Sequence, residues 1–182
     1  MNRHSTWPEL DRLARLVRAA DSLTDALGIW TGRGVGIDSV RRLDQAFPTA
    51  NVAEHLALHD GARVQDRHLL ALCQGVVVAE CRWWVAVDSA ALTPAVRLGL
   101  RAGGDLETLL RPLGARRVVV RVAPQRATPA DDPEACVLAV QARIDVAGTP
   151  VAWCEEAVLE SVFAGDAPRG VPGRARLTSV VA

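Results

Sequence analysis

Lysine is absent from the chain, and so is tyrosine. Without lysine there is no Schiff-base chemistry, no pyridoxal-phosphate anchor and no P-loop cation. Every fixed positive charge is an arginine, so any anion site is built from planar, permanently charged forks. Without tyrosine no phenol serves as acid or nucleophile. A charge excess is also missing: acidic and basic residues balance at 21 each. General nucleic-acid binders carry a basic surplus, so none is expected to bind this chain directly. No apolar run approaches the ~20 residues of a membrane helix, so no membrane partner is expected either. Met1 to Ser5 leads into an amphipathic segment without the apolar stretch of a signal peptide, which predicts a cytoplasmic protein.

Metal and disulfide signatures are equally scarce. Cys73, Cys81, Cys136 and Cys154 form no CxxC pair. Each sits in an apolar run, as inert buried thiols do. His55 and His59 stand four residues apart, a spacing that could seat a metal on a helix. No glutamate lies between them in the HExxH manner, and Asp60-Gly61 marks a chain break, so a solvated loop or helix face is expected. No metal and no cofactor is predicted.

What is present reads as one domain, since the 182 residues fall within the usual range of about 100–200 per domain. Thr6-Trp7-Pro8-Glu9 has the form of a capping box, and Leu10, Leu13 and Val17 follow at helical spacing. Ser22 with Asp25 predicts a second short helix, ending at Gly28. Val35 to Leu43 alternates as a strand, and residues 44–61 are ambiguous. Val64 to Cys73 and Val76 to Val87 are the strongest strands, joined at Gln74-Gly75. Residues 90–111 read as two helical pieces broken at Gly103-Gly104. Arg116 to Val122 is a strand, and Ala123 to Pro133 is a loop. Cys136 to Val146 and Pro150 to Phe163 form a second hairpin around Gly148-Thr149. The domain is expected to span 1–163, with 164–182 as a tail rich in Gly, Pro and Arg. The order of elements predicts an α+β fold with a mostly antiparallel sheet.

Pairing Cys73 with Val76 and counting back places Arg67 opposite Arg82. Directly opposed like charges are destabilising unless an anion lies between them. A ligand with two carboxylates would resolve such a pair. The alternatives are that both arginines reach solvent, that Asp66 and Glu80 neutralise them, or that a one-residue slip puts them on opposite faces. In the last hairpin, alternation turns one of Glu155 and Glu156 inward, where an unpaired carboxylate is costly and its pKa rises. An edge strand would leave both solvated.

Several of these segments resemble the chorismate pyruvate-lyase family, the 4-hydroxybenzoate synthases. Arg67 to Gly75 is similar to that family's strand of an arginine, an apolar run and a turn glycine, with Arg82 following 15 residues later. Gly148-Thr149-Pro150, Glu156 and Leu159 resemble its closing hairpin. Ser161-Val162-Phe163 and the stretch from Leu16 to Arg42 resemble the mycobacterial branch. The resemblance covers residues 10–163. It implies a six-stranded antiparallel sheet with helices on one side and helical flaps over a buried site. It also implies cofactor-free conversion of chorismate to 4-hydroxybenzoate and pyruvate. Carried over, Arg67 would hold the ring carboxylate, Glu156 would face the ring hydroxyl, and Leu106 would offer its backbone N–H. Arg82 would hold the enolpyruvyl carboxylate or polarise the leaving group, and Arg143 would contact or support the substrate. Glu107 stands where the family commonly has glycine, and Trp83 and Trp84 are bulkier than its aliphatics. Two other readings share the fold. One is an enzyme acting on another carboxylated ring or polyketide-like substrate in specialised metabolism. The other is a non-enzymatic ligand-binding module like the effector domains of some bacterial transcription regulators, for which a partner chain would read DNA.

Overall fold

The computed structural model describes residues 6–125 and 132–163. The expected tail at 164–182 and the N-terminal Met1 to Ser5 lie outside the described residues. Six strands form one antiparallel sheet: β1 (Val35–Ala46), β2 (Val64–Cys73), β3 (Val76–Val85), β4 (Arg116–Pro124), β5 (Cys136–Val146) and β6 (Thr149–Leu159). Their spatial order is β1-β2-β3-β6-β5-β4. The helices are α1 (Trp7–Ala19), α2 (Leu23–Thr31), α3 (Ala50–His55), α4 (Pro94–Arg101) and α5 (Leu106–Leu110). The α+β class with a six-stranded antiparallel sheet is therefore as expected.

Local chemistry accounts for most boundaries. The Glu9 carboxylate accepts from the Thr6 N–H at 3.0 Å and from its hydroxyl at 2.8 Å, which anchors the start of α1. Ser22 Oγ accepts from the Asp25 N–H at 3.0 Å and caps α2. That helix runs past Gly28 to Thr31, because Gly32 (φ 67°), not Gly28, supplies the left-handed C-cap. Both hairpins turn on two residues with positive φ, Gln74-Gly75 and Ala147-Gly148. The second turn is thus one residue earlier than the sequence suggested. β6 stops at Leu159, and Glu160–Phe163 coil into a 3-10 turn. There the Ser161 hydroxyl donates to the Val77 carbonyl at 2.5 Å.

The inner sheet face carries the main core. Leu13 and Val17 of α1, Leu27 of α2, and Leu100 and Leu106 of α4 and α5 pack on Ala71, Trp83, Val140 and Val158. One helix departs from a one-sided arrangement. Val52 and Leu56 of α3 cover Val64, Trp84 and Trp153 in a second, smaller cluster. Trp83 and Trp84 are sequence neighbours in a strand, so they point to opposite faces, and α3 lies on the outer one. His55, weighed above as a metal ligand or solvated group, instead stacks on Trp153 with ring centroids 3.7 Å apart. Trp153 is fully buried. Trp153→Ala is expected to cost ~3–5 kcal/mol of unfolding free energy. His55→Ala should cost ~0.5–1.5 kcal/mol. Urea midpoints for the two variants check both values.

Candidate functional site

Register decides which arginines meet. Cys73 does pair with Val76, but Ala71 pairs with Ala79, so Val78 is an extra residue in β3. This β-bulge slips the count by one. Arg67 therefore lies opposite Trp83, and His68 lies opposite Arg82. Arg67 and Arg82 face opposite sides of the sheet, and the two-fork site expected from them does not exist. Arg82 is bound bidentately by Asp66, at 3.1 and 2.8 Å, and its guanidinium lies over the Trp84 ring. Arg143, opposite Trp153, is also on the outer face. Asp145 grips it at 2.7 and 2.8 Å. Neither arginine reaches the inner side.

The inner side does hold a pair of cations, formed with a different partner. A second bulge, at Val40 in β1, brings Arg42 directly opposite Arg67. Both line a cavity of about 470 Å3, together with Ile37, Ser39, Leu69, Trp83, Gly103, Asp105 and Leu106. Arg67 is buried. Its Nε–H donates to Gln65 at 2.6 Å, and its two Nη groups donate to the carbonyls of Gly104 at 2.7 Å and Leu100 at 3.0 Å. Burial, and then the nearby Arg42 charge, push its pKa down. Gln65 is itself held by Asp44 at 2.5 Å and the Leu100 carbonyl at 3.1 Å. Arg42 pairs with Asp44 at 3.2 Å. Among the described residues no carboxylate forms an ion pair with Arg67. The buried Trp83 indole N–H has no partner among them either.

Leu106 sits in the same cavity as Arg67, as the resemblance implied. It opens α5, however, and there the Asp105 carboxylate already accepts from the Thr108 N–H at 2.7 Å. An incoming carboxylate at that N-terminus would meet an existing one.

Alternation left one of the two glutamates to turn inward, and it is Glu156, with Glu155 the more exposed. Glu156 does not line the cavity. It forms an ion pair with Arg117 of β4 at 2.5 Å, and both side chains are almost wholly buried. Burial raises the Glu156 pKa, and the Arg117 charge opposes that rise. Arg117 also donates to the Val17 carbonyl at 3.1 Å. That is one of the last four carbonyls of α1, which lack partners within the helix. Glu107 stands nearby, accepting from the Thr24 hydroxyl at 3.4 Å. Burial, and then the negative charges of Asp105, Asp25 and Glu156, push its pKa up to about 7.

The sequence reading missed Arg42, Ser39, Gln65 and Arg117. Arg42 and Arg117 follow from strand register, which bulges set. Gln65 showed no signal beyond its place in a strand. Among the described residues no group of three or more His, Cys, Asp or Glu side chains gathers as a metal site would. Three of the four cysteines are buried and all are free thiols.

Arg117→Ala strands Glu156 in the core and should cost ~3–5 kcal/mol. The loss should grow as pH rises above the ordinary carboxylate range, where the unpaired group must ionise. Denaturant unfolding from mildly acidic to neutral pH measures it. Glu107 gives a second pH signature. Its folded pKa of about 7 exceeds its unfolded value, so between the two the folded state binds more protons. Its contribution to stability then falls as pH rises toward 7. Glu107→Gln should flatten that slope, as read from thermal midpoints across this range.

No protein-family model matches the chain, and no curated protein sequence matches it. Solved structures do. The effector domain of PhnF from Mycobacterium smegmatis aligns with TM-score 0.58 and 19% identity, over 78% of this chain and 90% of that one. PhnF from the same organism aligns with TM-score 0.58 and 16% identity, over 86% and 80%. A GntR-family transcriptional regulator from Bacillus cereus aligns with TM-score 0.50 and 14% identity, over 73% and 96%. These findings overturn the expectation of a chorismate pyruvate-lyase, since the solved structures that match this chain are regulators or their effector domains. The geometry agrees: Arg82 and Arg143 face outward, and Glu156 is tied to Arg117. At 19% identity or less the likeness is one of fold, and that fold is the one used by effector domains of GntR-family transcription regulators.

Proposed function

We propose that this domain is a small-molecule-binding module. It takes a compact molecule carrying a carboxylate or phosphate group and relays its presence to a DNA-binding unit elsewhere in the same chain or in a partner. The observation that carries this reading is the direct opposition of Arg42 and Arg67 on paired strands beneath the cavity. Like charges placed so are destabilising unless something negative lies between them. Three of the five N–H groups of Arg67 are taken by Gln65, Gly104 and Leu100. Two are left to grip an oxyanion. Ile37, Leu69, Trp83 and Leu106 offer apolar walls for the body of the ligand, and Ser39 offers a hydroxyl. A cavity of about 470 Å3 suits a small metabolite.

The fold supports the same reading, because the PhnF structure similar to this one is described as an effector domain. The balanced charge of 21 acidic and 21 basic residues fits a DNA contact made by another unit. The expectation of no nucleic-acid partner is thereby narrowed to this domain itself.

A panel of small carboxylates and phosphate esters, screened by thermal shift and titrated by calorimetry, tests the proposal. A ligand at a hundredfold excess over its Kd should stabilise the fold by ~2.7 kcal/mol. Arg67→Gln should weaken binding by ~2–5 kcal/mol. Arg82→Ala and Arg143→Ala, on the outer face, should change it by less than ~0.5 kcal/mol. Binding lost equally in all three variants would reject the cavity as the site. Steady consumption of the bound compound would reject a non-enzymatic module.

A further inference from the structure

Both cavity arginines press on one short stretch of chain, the Gly103–Gly104 link between α4 and α5. Arg67 donates to the carbonyl of Gly104, and also to that of Leu100 in the last turn of α4. Gln65 adds a second bond to the Leu100 carbonyl. From the other side Arg42 packs against Gly103 so closely that a Cβ there would lie 2.5 Å from its Nη1. The link is also stiffly joined to both helices. A Cβ at Gly99 would meet the Leu109 side chain at 2.7 Å, and one at Gly104 would meet it at 2.9 Å. The two helices thus pack closely on each other, and besides the core contacts of Leu100 and Leu106 the Arg67 hydrogen bonds and the Arg42 side chain hold their link to the sheet.

We infer that this α4–α5 segment senses an occupied cavity: an anion between Arg42 and Arg67 tightens their hold on the Gly103–Gly104 link, and an empty cavity loosens it. The inference rests on the anion-site reading given above. In the empty cavity Arg67 is a buried charge faced by another cation, and the nearby carboxylates of Asp105 and Asp44 offset that cost only in part. Its hydrogen-bonded partners are one amide and two carbonyls, which are dipoles and not anions. Opening the segment lets water reach the guanidinium, and the lowered pKa of Arg67 reflects the same cost of burial. An oxyanion removes that drive. It cancels the repulsion and occupies the remaining N–H groups, while the bonds to Leu100 and Gly104 persist. Local opening equilibria of this kind are read by amide exchange.

The test is hydrogen exchange by mass spectrometry on the full chain, without anion and with inorganic phosphate or benzoate. Calorimetry on the same samples reports binding. Phosphate and benzoate present a tetrahedral and a planar oxyanion respectively. Binding of either is expected to slow exchange in residues 94–110 by about tenfold, while residues 7–19 of α1 stay unchanged. Arg42→Gln alters only a half-exposed side chain, so its folding is not at risk. It should weaken binding and shrink the protection of 94–110 together. If calorimetry shows binding and exchange in 94–110 does not change, the inference is wrong and the anion site stands. If neither probe binds, the anion-site reading fails and the inference falls with it.

Discussion

Val40 and Val78 are each one residue more than the neighbouring β2 can pair, and the chemistry of the domain follows from how the sheet absorbs them. Side chains alternate with a period of two, so one extra residue turns everything beyond it to the other face. The bulge at Val78 sets Trp83, not Arg82, across from Arg67. The bulge at Val40 sets Arg42, not Arg41, across from the same residue. The first thus keeps Arg82 out of the cavity, and the second brings Arg42 into it beside Arg67. Arg41, His68, Arg82 and Glu155 are left as a polar row on the outer face. Without the bulge at Val40, Arg42 would turn to the outer face; without the bulge at Val78, Arg82 would face Arg67 on the inner side.

The two deeply buried arginines are stabilised in different ways, and the contrast assigns their roles. Arg117 meets a full counter-charge in Glu156 and caps the end of α1 as well. It ties together α1, β4 and β6, elements distant in sequence, and it is complete without a ligand. Removing one partner of such a pair is costly because the other stays charged in the core. Arg67 is held by backbone carbonyls and a glutamine, with a second cation opposite. That arrangement is incomplete, and incomplete arrangements of this kind are expected where a protein binds something.

The resemblance to chorismate pyruvate-lyases and the likeness to regulator effector domains are compatible at the level of fold. The fold is a scaffold, and function depends on what the site contains. Here the residues that carried the lyase resemblance are dispersed. Arg67 and Leu106 share the cavity, Glu156 lies outside it, and Arg82 and Arg143 sit on the other side of the sheet.

The sequence by itself determined the elements and their order. The apolar arms at 64–73 and 76–85, the two-residue turns, the capping Ser22 and the break at Gly103-Gly104 are local signals. Each acts within a few residues of where it is read. The class of fold follows from them, and alternation leaves one of Glu155 and Glu156 to turn inward. Tertiary structure decided the rest. Whether a strand bulges depends on packing from both neighbours, which no single strand encodes, and so Arg42 rather than Arg82 joins Arg67. α3 covers the outer face because Trp84 and Trp153 need burial there. Arg117 reaches Glu156 across 39 positions of sequence. A buried charge selects its partner by distance in space, and that distance exists only once the sheet has closed.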